Sequence, residues 1–187
     1  MLEKLKAEVL LAYHELNRYG LDQYTKGTVS AMDRERGMIV VKSARDALVA
    51  DMQGNVLEGT QASSSDLQSH LAIYRAFPKL GGVVQPQARF AAAFARVGMD
   101  IPMLGSCHAD CFQAEIPCTA SVTEIGKTFE ERSIDPLQTP AALVLSQSVY
   151  AWGKTALDAV TNAAALEKTA NIAYHTMHLA PGIQPPQ

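Results

Sequence analysis

Apolar residues at the start of the chain recur with the spacing of an amphipathic helix. The positions that share this spacing are Leu2, Leu5, Val9, Leu10, Tyr13 and Leu16. We predict a helix that ends near Gly20, because glycine commonly follows the last helical turn. A second helical pattern runs from Thr155 to about His178. The chain is therefore expected to carry a helix near each end.

The first part of the chain between these helices favours β-strands. Residues 28–31 and 38–42 are β-rich and flank a polar turn at 33–37. Residues 47–52 and 55–57 are separated by Gln-Gly and predict a further hairpin. These patterns indicate paired antiparallel strands.

Helical and strand patterns alternate along the rest of the chain. Residues 63–66, a serine run followed by aspartate, offer N-caps for a helix that Pro78 and the following glycines end. The elements predicted after it are a strand at 83–87, an alanine-rich helix at 88–97, and strands at 141–148 and 149–152. Alternation without repeats predicts one α/β domain at 1–180, followed by a disordered tail at 181–187.

Composition and charge narrow the class of protein. The 187 residues are 48% hydrophobic and 19% charged, with a net charge of -3, so we expect no nucleic-acid partner. No apolar run approaches the ~20 residues that span a bilayer. The charged start predicts a cytoplasmic protein without a secretory signal. An odd number of cysteines, Cys107, Cys111 and Cys118, predicts reduced thiols.

Several strings along the chain together resemble the class II aldolase/adducin family, in particular its L-ribulose-5-phosphate 4-epimerases. The matching strings are 1–6, 27–37, 58–60, 63–66, 74–78, 108–110, 116–119, 151–154 and 158–160. Their order is collinear over nearly the whole chain. The resemblance implies an α/β three-layer fold, with a mixed, mostly antiparallel central sheet flanked by helices. It also implies a homo-oligomer, a cyclic tetramer, with active sites between subunits.

The chemistry implied by the resemblance depends on a metal. In the family, three histidines hold zinc, which binds the oxygens of a small phosphorylated sugar and stabilises an enediolate. In this chain the three positions are Gln85, Gln87 and Gln147. We expect Gln85 and Gln87 to share one side of a strand, with Pro86 suited to an edge or a bulge. An amide oxygen is a poor zinc ligand, but Mg or Mn accepts oxygen ligands better.

Further positions match the catalytic and phosphate-binding residues of the family. Asp110 matches the acid/base aspartate, and Asp66 matches an acidic residue near the metal, although Asp66 also suits capping of its own helix. The positions implied for the substrate phosphate are Gly27, Thr28, Lys42, Ser64 and Ser65. The family's asparagine is Thr28 here, and its Lys-Pro-Ser-Gly string is replaced at 42–45, where Arg45 is an alternative cation.

Other departures from the family fall around the same cleft. The loop after 42–45 and the stretch between Thr123 and Phe129 are shortened, and the family's C-terminal tyrosine has no counterpart.

Three hypotheses about function follow from these departures. The protein is an epimerase-like enzyme with weak or absent zinc-dependent activity, a non-catalytic binding or scaffold protein, or a metal-free enzyme of altered chemistry in the same cleft. We expect no firmly bound cofactor.

Overall fold

The computed structural model describes residues 2–22, 27–42, 47–59 and 64–183, with the backbone alone at 64–65. Its eight strands are β1 (Thr28–Asp33), β2 (Met38–Lys42), β3 (Ala47–Asp51), β4 (Val56–Glu58), β5 (Gly82–Gln85), β6 (Cys118–Thr119), β7 (Ala141–Val144) and β8 (Val149–Gly153). They form one sheet in the order β4-β3-β2-β1-β5-β8-β7-β6. Every neighbouring pair is antiparallel except β6 and β7, which are parallel. The predicted mixed, mostly antiparallel sheet is confirmed.

Helices cover both faces of this sheet. They are α1 (Leu2–Arg18), α2 (Ser64–Ala76), α3 (Arg89–Val97), α4 (Ser106–Cys111), α5 (Ile125–Glu131) and α6 (Ala156–Leu179). On β2, Val40 faces a core cluster shared with α1, α3 and α6. Its neighbours Ile39 and Val41 face a second cluster shared with α2 and α5. Because successive strand residues point to opposite faces, this alternation buries both sides and produces three layers.

The beginning of α6 lies unusually close to β5. A Cβ atom on Gly82 would lie 2.3 Å from the carbonyl oxygen of Thr155. Thr155 caps α6 by accepting a hydrogen bond from the Asp158 N–H, while the Asp158 carboxylate accepts one from the Thr155 N–H. Only glycine permits this close approach of helix and strand.

The structure differs from the sequence predictions in four respects. The strand predicted at 83–87 ends at Gln85, and the strand predicted at 141–148 ends at Val144. The elements α4, α5 and β6 had no counterpart among the predictions. Residues 181–183 of the predicted disordered tail form a turn, in which the Ile183 N–H donates to the Ala180 carbonyl at 3.1 Å. The rest of that tail, 184–187, lies outside the described residues.

None of the described helices is long and apolar enough to cross a membrane. The three cysteines are free thiols, with Cys111 exposed and the other two half-buried.

Candidate functional site

Strand register brings four of the predicted site positions to one end of the sheet. Thr28 pairs with Gln85 across β1 and β5. Val29, the next residue on β1, pairs with Lys42 at the end of β2. Because β1 begins where β2 and β5 end, their terminal residues lie side by side. We call Gly27, Thr28, Lys42, Gln85 and Ser148 the glutamine corner.

Ser148 joins this corner through Gln85. The amide Nε2 of Gln85, which is half-buried, donates to Ser148 Oγ at 2.9 Å. Ser148 immediately precedes β8, which is the neighbour of β5 on the side away from β1. Its sequence neighbour Gln147 is exposed in the β7–β8 turn, where its N–H donates to the Val144 carbonyl at 3.0 Å. Two of the three predicted metal positions thus lie at the same end of the sheet.

The predicted pairing of Gln85 and Gln87 on one strand is wrong. Pro86 has no N–H to donate to a ladder, and β5 ends before it. The N–H of Gln87 instead donates to the Leu21 carbonyl at 2.7 Å, in the loop after α1. The predicted edge or bulge position for Pro86 is also wrong, since β5 lies inside the sheet and Pro86 is buried just beyond its end.

The side chains of the glutamine corner offer two hydroxyls, one amide and one ammonium group, from Thr28, Ser148, Gln85 and Lys42. Among residues 2–22, 27–42, 47–59 and 66–183, no group of three or more His, Cys, Asp and Glu side chains could hold a metal ion. Four imidazoles lie away from the corner: His14 is exposed on α1, His108 is buried on α4, and His175 and His178 are exposed near the end of α6. The fifth, His70, is buried on α2.

A fully buried polar network lies directly behind Thr28. The Nε2 atom of His70 is 3.1 Å from Thr28 Oγ1, and its Nδ1 atom is 2.6 Å from Ser30 Oγ. The Ser30 hydroxyl is also 3.0 Å from the Tyr74 hydroxyl. A neutral imidazole offers one donor and one acceptor, and hydroxyl groups can complement either. Burial lowers the pKa of His70 to about 3, so the ring is neutral at physiological pH.

Tyr150 on β8 connects this network to Ser148 and to α2. Its ring meets His70 edge to face, with centroids 6.3 Å apart. Its pKa is raised mainly by burial, while hydrogen bonds to Ser69 and Ser148 oppose that shift and the charge of Asp66 adds to it. Asp66, half-buried in the first turn of α2, therefore lies near the corner. The geometry is compatible both with a role in the site and with stabilisation of the helix N-terminus.

Two residues of the glutamine corner that were predicted for the phosphate, Gly27 and Lys42, also contact Asp22 and Tyr13. The carboxylate of Asp22 accepts hydrogen bonds from the Gly27 N–H at 2.5 Å and from the Tyr13 hydroxyl. The Lys42 ammonium lies 5.0 Å from the centre of the Tyr13 ring. A Cβ atom on Gly27 would lie 2.8 Å from Leu16 Cδ2 and 3.4 Å from the Gln85 carbonyl oxygen, so the tight packing favours glycine.

The remaining predicted residues lie apart from this corner or outside the described part of the structure. Asp110 is exposed on α4, a helix that packs against α6. The side chains of Ser64 and Ser65, and the altered string at 43–45, lie outside the described residues. The hydroxyl of Thr28 faces His70, with only 1% of the residue exposed, and so does not face solvent.

The sequence contained a signal for the His70 network that our predictions did not use. Thr28 and Ser30 are polar residues two apart on a strand, so they share one face. On α2, His70 lies on the same face as the apolar residues Leu67, Leu71 and Tyr74. Matching the polar pair on β1 to an imidazole on an apolar helix face would have identified the contact.

A separate apolar pocket of about 330 Å³ lies between α3 and the last turns of α6. Its lining residues are Ala93, Phe94, Val97, Met99, Tyr174, Met177 and His178. None of these residues belongs to the glutamine corner, and none supplies a carboxylate or an amide side chain.

Fold and site together define the class of protein. Residues 7–174 match the family described as Class II Aldolase and Adducin N-terminal domain, and the chain belongs to this family. The relatives found among known proteins include L-ribulose-5-phosphate 4-epimerase UlaF of Salmonella typhi. That protein is 42% identical over 205 residues, which cover 98% of this chain and 90% of the relative. The enzyme of the same name from Salmonella paratyphi B is 41% identical over the same shares.

Solved structures confirm the fold. An L-fuculose 1-phosphate aldolase superposes with a TM-score of 0.83 at 19% identity, covering 98% of this chain and 91% of that one. An L-fuculose-1-phosphate aldolase from Thermus thermophilus gives a TM-score of 0.72 at 20% identity, covering 97% of this chain and 100% of the other. The predicted three-layer class II aldolase/adducin fold is therefore confirmed.

Proposed function

We propose that this chain is a sugar-phosphate epimerase/aldolase-like protein of the L-ribulose-5-phosphate 4-epimerase type, with weak or no zinc-dependent turnover. The type is supported by identity of 42% to UlaF over nearly the whole chain. The loss of zinc chemistry rests on one observation: the three positions that resemble the metal ligands are Gln85, Gln87 and Gln147. In this proposal the glutamine corner still binds a small phosphorylated sugar.

The donor set at these positions does not fit zinc. Zinc is held in proteins by imidazole, thiolate or carboxylate groups, and three neutral amides supply none of these. The Nε2 atom of Gln85 is also hydrogen-bonded to Ser148, which fixes the amide within the protein. A weakly bound Mg or Mn, held by amide oxygens with Asp66, is the alternative that chemistry allows.

Two carboxylates remain as candidates for proton transfer. Asp66 lies near Tyr150 and, through Ser148, near Gln85. Asp110 is exposed on α4, and we propose that it serves as an acid/base group at the site of a neighbouring subunit in a homo-oligomer. Without metal stabilisation of the enediolate, neither carboxylate would restore the rate, since each ~1.4 kcal/mol of lost stabilisation lowers the rate tenfold.

Light scattering tests the proposed homo-oligomer, for which the resemblance implies a tetramer.

Binding of the sugar phosphate is assigned to the residues around Thr28. Lys42 supplies a cation, and Gly27 together with the start of α2 at Ser64 and Ser65 supplies backbone N–H groups suited to a phosphate. Thr28 contributes through its contact with His70, since its hydroxyl faces that ring at 3.1 Å. We place this binding in the cytoplasm, following the charge pattern of the chain.

Metal analysis and turnover measured on the same preparation test the proposal. We expect less than stoichiometric zinc in protein purified without chelator, and epimerase activity at or near background. The triple variant Gln85→His, Gln87→His, Gln147→His should bind zinc but recover little activity, because other parts of the cleft also differ. The control is Gln113→His, which adds an exposed imidazole on the loop after α4.

Two outcomes would contradict the proposal. Stoichiometric zinc or manganese in the unmodified protein, accompanied by epimerase activity, would show that the glutamines support catalysis. Recovery of a relative's rate by the triple variant would show that the metal alone had been lost.

A further inference from the structure

The loop after α1 places a carboxylate where the proposed function requires an anion to bind. Asp22 Oδ1 accepts the Gly27 N–H at 2.5 Å, and Oδ2 accepts the Tyr13 hydroxyl. Gly27 is one of the residues assigned above to the substrate phosphate. Its backbone offers a single N–H, and Asp22 already occupies it.

We propose that Asp22 is an internal anion that competes with phosphorylated ligands for the Gly27 N–H. This competition lowers the affinity of the site for phosphate. This inference rests on the proposed function. A phosphate oxygen can accept this hydrogen bond only after the carboxylate has moved away. If the carboxylate stays, two negative charges lie within a few ångströms of each other, which disfavours binding.

The carboxylate is held firmly in this position. Tyr13 is 7% exposed and lies on the buried face of α1, so its hydroxyl is fixed by core packing. Burial and the hydrogen bond to Asp22 both raise the pKa of Tyr13, so the phenol remains a donor at physiological pH. Leu21, the residue before Asp22, is buried, and its carbonyl accepts the Gln87 N–H at 2.7 Å. Leu21 and Asp22 are thus tied to α1 and to the segment after β5.

The neighbouring cation lies against the same residues. The Lys42 ammonium is 5.0 Å from the centre of the Tyr13 ring, whose hydroxyl holds the Asp22 carboxylate. A phosphate that reaches Lys42 therefore approaches Asp22 as well. The negative charge of Asp22 offsets part of the attraction that Lys42 would otherwise exert on an anion.

The test varies the charge at position 22 and the charge of the ligand, and measures how the binding affinity changes. Asp22→Asn keeps an oxygen that can accept the Gly27 N–H but removes the charge, whereas Asp22→Glu keeps the charge. Glu35→Gln is the control for net charge, because Glu35 is exposed in the turn at the opposite end of β1. Calorimetry with L-ribulose 5-phosphate, inorganic phosphate and unphosphorylated L-ribulose measures affinity. Urea unfolding confirms that each variant is folded.

We expect Asp22→Asn to bind L-ribulose 5-phosphate and inorganic phosphate at least tenfold more tightly, about 1.4 kcal/mol. Affinity for L-ribulose should stay unchanged, and Asp22→Glu and Glu35→Gln should not tighten phosphate binding. If the unmodified protein binds the sugar phosphate and Asp22→Asn binds it no better, the inference is wrong while the proposed function stands. If neither protein binds any phosphorylated ligand, the proposed function fails and the inference fails with it.

Discussion

Acidification should destabilise this fold through His70. The ring is fully buried between Thr28 and Ser30, and burial depresses its pKa to about 3 in the folded protein. In the unfolded chain the pKa of histidine is about 6.5. The folded pKa is the lower one, so the stabilising contribution is complete above pH ~6.5. It decreases as the pH falls, until both states are protonated near pH ~3.

The size of this effect follows from proton linkage. Each pH unit between the two pKa values changes the free energy of unfolding by about 1.4 kcal/mol for one proton. From about pH 7 to about pH 5, His70 should therefore remove about 2 kcal/mol of stability. That is a large share of the ~5–15 kcal/mol typical of a domain. Burial also lowers the pKa of His108, so His108 adds to the loss in the same direction.

A variant separates the contribution of His70 from that of His108. His70→Gln keeps an amide donor and acceptor beside Thr28 and Ser30 but cannot take up a proton. Unfolding in urea can be followed through Trp152, the only tryptophan, which is fully buried. We expect His70→Gln to be less stable at about pH 7 by ~1–3 kcal/mol, because its hydrogen bonds are imperfect. Between about pH 7 and pH 5 it should lose about 2 kcal/mol less than the unmodified protein.

The control His14→Gln removes an exposed imidazole from α1 and reports the effect of losing a surface histidine. Equal losses of stability between about pH 7 and pH 5 in the unmodified protein and in His70→Gln would refute the reasoning. That result would mean that His70 is protonated in the folded protein or that the network is open to water.

Two further predictions concern the junction of β5 and α6. Thr155→Ala removes the side-chain acceptor for the Asp158 N–H and should lower stability by about 1 kcal/mol in urea unfolding. Thr155→Ser should retain most of that stability. An unchanged unfolding midpoint for Thr155→Ala would contradict the capping role. Gly82→Ala places a Cβ atom 2.3 Å from the Thr155 carbonyl oxygen and should cost more than about 3 kcal/mol or prevent folding. Gly105→Ala is its control, since a Cβ atom there meets nothing within 4 Å, and equal stability of the two alanine variants would show that β5 and α6 can separate freely.

Elements with strong local patterns were predictable from the sequence. The period of the apolar residues predicted α1 and α6, and turn residues between β-rich segments predicted the first two hairpins. Local patterns failed where the partner is distant along the chain. The strand predicted at 83–87 ends at Gln85, since the N–H of Gln87 is taken by Leu21, more than sixty residues earlier.

The same contrast between local patterns and distant contacts applies to the candidate site. The sequence alone determined which side chains were available: glutamines at the three positions predicted for the metal, a lysine at 42, and carboxylates at 66 and 110. Strand register decided that Gln85 meets Thr28 and that Ser148 closes the corner. Those contacts join residues 57 and 63 positions apart, beyond the range of any local pattern.

The sequence therefore determined the family, the fold class and the amide character of the positions predicted for the metal, because these depend on residue identity and order. Only the tertiary structure decided that a buried imidazole supports Thr28 and that Asp22 holds the Gly27 N–H. Both depend on where separate chain segments meet. Most buried polar groups are hydrogen-bonded to whichever group packing brings beside them, so such contacts follow from packing and not from sequence distance.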